Sequence, residues 1–329
     1  LNGAAAVSVD ERRRFLIALA AVSLLPVLSL ATARAFAFPA LNDFNFAIAF
    51  LATGFHVALT PFFYLEPELK ELRRQHPARF VWVPLLLCAG TATLVASLPA
   101  SLPGVILFYF AWQLYHFQRQ NVGVLAFVST ILQVARATRA EHVAIELAAY
   151  AGILGFLALD GVPHRSITSF SGTLYTVGLV AQIFAIGLAL GAWVLRLKRE
   201  GWSWFGPWHL LCTLFFAGSF VVRDLDFAFG AYAYAHGLQY IIFMYLLSFT
   251  RGPAVRRLSP LALTVLGLAG ALALTALSDR TAFGWSRDAV YAVYLGLVMS
   301  HFVVDAIVWR LSEPTQRAYV RRGFAFVWD

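Results

Sequence analysis

Charge is scarce in this chain of 329 residues: 13% are Asp, Glu, Lys or Arg, against 60% hydrophobic. Cysteine is scarcer still, with two in all. Cys88 and Cys212 both lie inside apolar runs, where a thiol reads as a small buried hydrophobe and not as part of a disulfide framework or redox pair. Several catalytic signatures are missing as well. The absence of HExxH argues against a zinc metalloprotease of that type, and there is no CxxCH for covalent haem, no Walker loop and no serine nucleophile in a glycine turn. No long hydrophilic domain, low-complexity tract or internal repeat interrupts the chain, and the paired Gly/Pro breaks of many secondary transporters are not there.

What is present is apolar sequence along the whole length, with a mean hydropathy of +0.73. A water-soluble domain of this size does not need so much apolar side chain. The expected fold is all-α: a polytopic transmembrane helix bundle forming a single integral membrane domain over 1–329. About ten spans are read, at 15–36, 44–64, 80–99, 104–119, 141–160, 170–195, 208–222, 227–249, 259–278 and 288–310. The segment 120–140, half apolar and half polar, is expected to be interfacial or re-entrant. Arg12-Arg13-Arg14, an apolar run and Ala31-Thr32-Ala33 overlap with a secretory signal pattern. The length of the run from Phe15 to Phe38 favours a retained first span.

The net charge of +8 does not point to nucleic acid, because the bases sit in short loops between apolar runs. With both termini in the cytoplasm, one side collects twenty of the Lys and Arg residues, including Arg12–Arg14, Lys70, Arg73, Arg74, Arg196 and Arg310. The other side has five: Arg34, Arg165, Arg223, Arg280 and Arg287. That positive-inside bias places both termini in the cytoplasm of a bacterial inner membrane. Loop Glu66–Arg79 reads as solvated, Gly187 and Gly191 as a close helix contact, and Trp202, Trp204, Trp208 and Trp285 as part of an aromatic belt.

The eight histidines carry the chemical interest. His56, His116, His142, His236 and His301 fall between mid-membrane and the cytoplasmic surface, on different spans. Asp305 lies four residues after His301 and Glu146 four after His142, so each pair shares a helix face. His301 and Asp305 sit in Ser300-His301-Phe302-Val303-Val304-Asp305-Ala306-Ile307-Val308-Trp309-Arg310. Ionisable groups in such a run usually face a bundle interior and mark function. Neutral imidazole with carboxylate suits iron, zinc, copper or manganese, and calcium and magnesium much less. His56, His116, His142, His236, His301 and Asp305 are therefore the expected metal ligands. Asp305 and Glu146 are the expected acid–base or orienting groups, each open to a ligating or a supporting role. For each residue the plain alternative is an interhelical hydrogen bond. Glu146 could instead pair with Arg119 or Arg139, His209 reads as interfacial, and His76 and His164 as solvated loop residues.

The plan of an apolar bundle with scattered intramembrane histidines and no soluble domain is similar to that of polytopic membrane oxygenases and desaturases. That group includes alkane hydroxylases, fatty-acid desaturases and bacterial carotene-cleaving enzymes of the Brp/Blh type. The resemblance implies non-haem iron held by histidines near the cytoplasmic face. The HxxxH and HxxHH boxes of the desaturases are absent here. Gly161-Val162-Pro163-His164 is similar to a Gly-Ile-Pro-His motif of the carotene-cleaving group, but it falls in an outer loop and no residue is carried over from it. His116 with Arg119-Gln120, His236 with Gln239-Tyr240, and His301 with Asp305 and Trp309-Arg310 resemble motifs of a bacterial membrane family.

The function expected is a membrane-embedded metal-dependent oxidoreductase, a non-haem iron oxygenase or oxidase with one or two metals. Its substrate would be apolar and enter from membrane lipid, and its electrons would come from a cytoplasmic reductase. Three alternatives stay open. A haem protein for electron transfer would use two deep histidines as axial ligands. A proton-coupled transporter would titrate the imidazoles, and a scaffold or assembly subunit would use them only for packing.

Overall fold

A computed structural model describes residues 2–159, 170–249, 260–279 and 287–328. His164 with its Gly-Val-Pro-His motif, Arg165, Arg251, Arg256, Arg257, Arg280 and Trp285 lie outside the described residues. Among the described residues every regular element is a helix. Besides short 3-10 and π turns at Pro67–Leu69, Ala78–Trp82 and Pro99–Ser101, the α-helices in chain order are α1 (Asn2–Ala35), α2 (Pro39–Ala58), α3 (Pro61–Leu65), α4 (Lys70–Gln75), α5 (Val83–Ser97), α6 (Leu102–Ile131) and α7 (Arg139–Leu157). There follow α8 (Ser171–Glu200), α9 (Phe205–Thr213), α10 (Gly218–Val221), α11 (Leu225–Phe249), α12 (Pro260–Ser278), α13 (Arg287–Val308), α14 (Pro314–Gly323) and α15 (Ala325–Trp328).

Seven described segments are long and apolar enough to cross a membrane: Asp10–Ala35, Asp43–Leu65, Ala78–Ser97, Arg139–Leu157, Ser171–Glu200, Pro260–Ser278 and Arg287–Val308. That is fewer than the ten spans expected from sequence, and the differences have local causes. The expected span at 208–222 is not one helix, because α9 stops at Thr213 and α10 is a separate single turn from Gly218. Helices α6 and α11, with 30 and 25 residues, have the length but not the uniform apolarity. They bury Gln113, His116, Gln118 and Asn121 in one case and His236 and Gln239 in the other. The expected span at 104–119 also does not end where the sequence suggested. Helix α6 continues through Gln120 to Ile131, so much of the 120–140 segment belongs to it. It closes only where Gln133 turns left-handed at φ 53°. There the Val134 N–H reaches back to Ser129 O at 3.1 Å, the hydrogen bond that terminates a helix by a Schellman motif.

The chain divides into two compact units. The first comprises Leu1–Ala47, Phe110–His236 and Phe326–Asp329, the second Ile48–Tyr109 and Gly237–Ala325.

In the first unit, α7 starts from a full capping box. Glu141 N–H donates to Thr138 Oγ1 at 3.3 Å, and Thr138 N–H donates to Glu141 Oε2 at 2.6 Å. Helices α7 and α8 then meet along a seam of small residues, with Ala144, Ala148 and Ala151 of α7 and Ala185 and Ala189 of α8 all buried. Gly178 sits where an added Cβ would lie 3.1 Å from Ala151 O, Gly155 N and Leu154 Cβ. Gly187 and Gly191 do not make the contact expected of them, since no atom stands within 4 Å of where a Cβ would be at either. His209 and Trp208 correct the sequence reading too. Both are buried, at 1% and 9% exposure, and His209 Nε2 is 2.9 Å from Glu141 O. Trp202 and Trp204 are exposed at 63%.

In the second unit, α2 cannot continue past Ala58 because Pro61 has no N–H and its ring clashes with the preceding turn. Leu59 N–H and Thr60 N–H instead close tight turns onto His56 O and Val57 O at 3.1 and 3.0 Å. The loop after α3 is more ordered than a solvated segment. Arg73 donates to Phe63 O and Glu66 O at 2.7 and 2.8 Å, capping the end of α3, and Glu66 is buried. Helices α5 and α13 pack closely at Gly296, where a Cβ would stand 2.6 Å from Cys88 Cα. His301 and Asp305 lie on another side of α13, against His56, Thr60 and Tyr240, and this is the most buried of the seven spanning segments.

Candidate metal centre

Three of the expected ligands come together in the second unit: His56 from the last turn of α2, and His301 and Asp305 from α13. Exposure is 1% for His56 and His301 and 4% for Asp305. The rings of His56 and His301 meet edge to face, with centroids 4.9 Å apart. The i,i+4 spacing does what it predicts, putting His301 Nε2 3.5 Å from Asp305 Oδ2.

The outward atoms of these groups are engaged. His56 Nδ1 lies 3.3 Å from Ala52 O, one turn back on α2. A carbonyl oxygen only accepts, so Nδ1 carries the proton and Nε2 keeps its lone pair. His301 Nδ1 lies 2.7 Å from Thr60 Oγ1. The Tyr240 phenol, from α11, donates to Asp305 Oδ1 at 2.9 Å. Its ring stands edge-on to both imidazoles, at 5.4 Å from His56 and 5.3 Å from His301. One turn earlier on α11, Gly237 lets the helix backbone close onto α2: a Cβ there would lie 2.9 Å from Ala52 O and 3.3 Å from His56 Nδ1.

The first unit holds a second imidazole pair. His116 of α6 and His236 of α11 are buried at 9% and 0% exposure, with ring centroids 4.9 Å apart. Phe117 lies against His236 at 4.2 Å between centroids, and Gln120 Nε2 donates to His236 O at 3.1 Å. Next to this pair, Gln118 on α6 donates to Ile145 O and Cys212 O at 3.2 and 2.9 Å, tying α6 to α7 and α9.

Buried histidine and aspartate groups among the described residues lie close enough together to hold a metal ion, and His142 and Glu146 are not among them. His142 is half-buried in the first turn of α7. Glu146 is half-exposed and pairs with Arg119 at 3.3 Å, the partner the sequence left open. His76 is exposed at the end of α4, as a loop residue should be.

Sequence reasoning overlooked Thr60 and Gly237, and it saw Tyr240 only as a neighbour of His236 in a motif. Thr60 follows His56 by four residues, the spacing that singled out Asp305, and Tyr240 follows His236 by four. The same rule applied to hydroxyls would have found both, though not that each serves a residue of α13. Comparison with family models, with curated proteins and with solved structures finds no match to this chain.

Proposed function

We propose that this chain is a membrane metalloprotein whose centre is built on His56, His301 and Asp305, and that it works as an oxidoreductase on an apolar substrate. The observation that carries the reading is the approach of His301 Nε2 to Asp305 Oδ2 at 3.5 Å, both side chains at or below 5% exposure. In a dry interior such a pair shares a proton or a cation, and the nearby buried His and Asp donors that could hold a metal ion make a metal the cation proposed here. Imidazole and carboxylate donors favour a first-row transition metal, and iron with an open position supplies oxygen activation when bound.

Within this reading the protein's residues orient the ligands, exclude water and hold the proton on His56 Nδ1. His116 and His236 form the second imidazole pair, in the first unit, and the number of ions per chain tells whether that pair also holds one. His142 and Glu146 are assigned supporting acid–base roles nearer the surface. The substrate enters from lipid between helices, and a cytoplasmic reductase docks on the basic segments that the charge bias assigns to that side.

A second reading has its own observation. Thr60, His301, Asp305 and Tyr240 form a continuous polar run, which would also serve a proton-coupled transporter.

Metal analysis with an absorption spectrum on purified protein separates these. The expected result is one or two transition-metal ions per chain without a Soret band, with His301→Ala losing the metal of this centre and His76→Ala keeping it. A Soret band would favour axial haem ligation. Equal metal content in all the variants would reject the centre, and pH-dependent flux by metal-free protein in liposomes would favour the proton pathway.

A further inference from the structure

We infer that Thr60 and Tyr240 are positioning residues that decide which atoms of His301 and Asp305 face the metal. The inference rests on the metal reading above. Thr60 does so by accepting the Nδ1 proton of His301, and Tyr240 by donating to Asp305 Oδ1.

A neutral imidazole carries one N–H, and the nitrogen without it is the ligand. Thr60 Oγ1 stands 2.7 Å from His301 Nδ1 in a buried position. The hydroxyl can donate or accept at that distance, and with a metal on Nε2, the nitrogen that faces Asp305 Oδ2, it accepts the Nδ1 proton. His56 has the same arrangement by other means, its Nδ1 proton going to Ala52 O. With metal bound, the two rings carry the same tautomer and present the same nitrogen. Tyr240 completes the selection: its hydroxyl occupies Oδ1 of Asp305 at 2.9 Å and leaves Oδ2 as the oxygen beside Nε2.

Neither contact follows from neighbouring sequence. Thr60 lies 241 residues from His301 and Tyr240 lies 65 from Asp305, so each is brought in by a distant part of the chain. Thr60 is delivered by the break that Pro61 forces at the end of α2, and Tyr240 by the close approach that Gly237 allows. Hydrogen bonds to the outer atoms of ligating groups fix their orientation and raise their basicity, and removing one typically weakens metal binding about 10–100-fold.

The test uses the full chain purified in detergent, stripped of metal and titrated with Co(II), whose d–d spectrum reports ligand identity and geometry. Thr60→Val keeps the shape of the side chain without the hydroxyl, Thr60→Ser keeps the hydroxyl, and Tyr240→Phe removes only the phenol oxygen. The expected result is cobalt affinity about 10–100-fold weaker, with an altered d–d spectrum, in Thr60→Val and Tyr240→Phe. Thr60→Ser should stay close to wild type, and thermal unfolding of the metal-free variants should match wild type. Wild-type affinity and spectrum in Thr60→Val and Tyr240→Phe, with binding still lost in His301→Ala, would overturn this inference and leave the metal centre standing. A Thr60→Ser variant as impaired as Thr60→Val would overturn it as well, since packing and not the hydroxyl would then matter. A wild-type protein that takes up no cobalt would overturn both.

Discussion

At the scale of single residues, a tightly held buried charge among the described residues belongs to none of the candidate metal ligands. Arg196 is 2% exposed and its partner Glu141 1%. The guanidinium forks onto the carboxylate, Nε to Oε1 at 2.8 Å and Nη2 to Oε2 at 2.9 Å. Its remaining N–H groups go to Ala135 O, Arg136 O and Glu200 Oε2 at 3.1, 3.1 and 2.8 Å, and its face lies over Phe205 at 4.2 Å. All five donors are used, so the desolvation penalty is offset inside the network. Arg196→Met would leave Glu141 buried without its counter-charge. That should destabilise the protein by about 3–5 kcal/mol, measured as unfolding in mixed micelles, whereas a loss under about 0.5 kcal/mol would mean the pair is not closed as described. From sequence Arg196 was one more cytoplasmic base. Its partner lies 55 residues away, and no local spacing connects them.

At the scale of elements, the glycines of α8 show why a spacing pattern does not name a contact. Gly187 and Gly191 have the four-residue separation of a packing motif, yet neither has an atom within 4 Å of its missing Cβ, while Gly178 is pressed on the α7 backbone. Which face of a helix meets its neighbour is decided by the neighbour. Gly178→Val should destabilise by about 1–3 kcal/mol through overpacking, and Gly187→Val should stay within about 0.5 kcal/mol of wild type. Equal effects in the same unfolding assay would contradict the seam. The His301–Asp305 pair is the opposite case. There the i,i+4 rule suffices because both residues belong to one helix, and the structure adds only their partners.

At the scale of the whole chain, the charge bias and the packing of the second unit can be tested together. Arg322 of α14 pairs with Glu68 at 2.6 Å, so the loop before α4 and the segment after α13 lie on one side of that unit. The positive-inside bias predicts that this side is cytoplasmic. With Cys88 and Cys212 replaced by serine, Gln75→Cys and Thr315→Cys should both react with an impermeant thiol reagent in inside-out vesicles and not in right-side-out ones. Labelling of the two from opposite sides would contradict the packing, and labelling of both from outside would reverse the orientation.

The sequence by itself determined the class of molecule. Its hydropathy and its confinement of charge to short segments leave little but apolar helices, and the depth of His56, His116, His236, His301 and Asp305 marked them out, because a polar group in an apolar run needs a partner. Tertiary structure alone decided who the partners are. His56 meets His301, His116 meets His236, Thr60 and Tyr240 hold the outer atoms of the α13 pair, and Glu146 turns to Arg119. The physical reason is that periodicity fixes directions within a helix, whereas contacts between helices depend on how closely two backbones approach. That approach rests on small residues such as Gly237 and Gly296 and on the break at Pro61, whose effects appear only once their neighbours are in place.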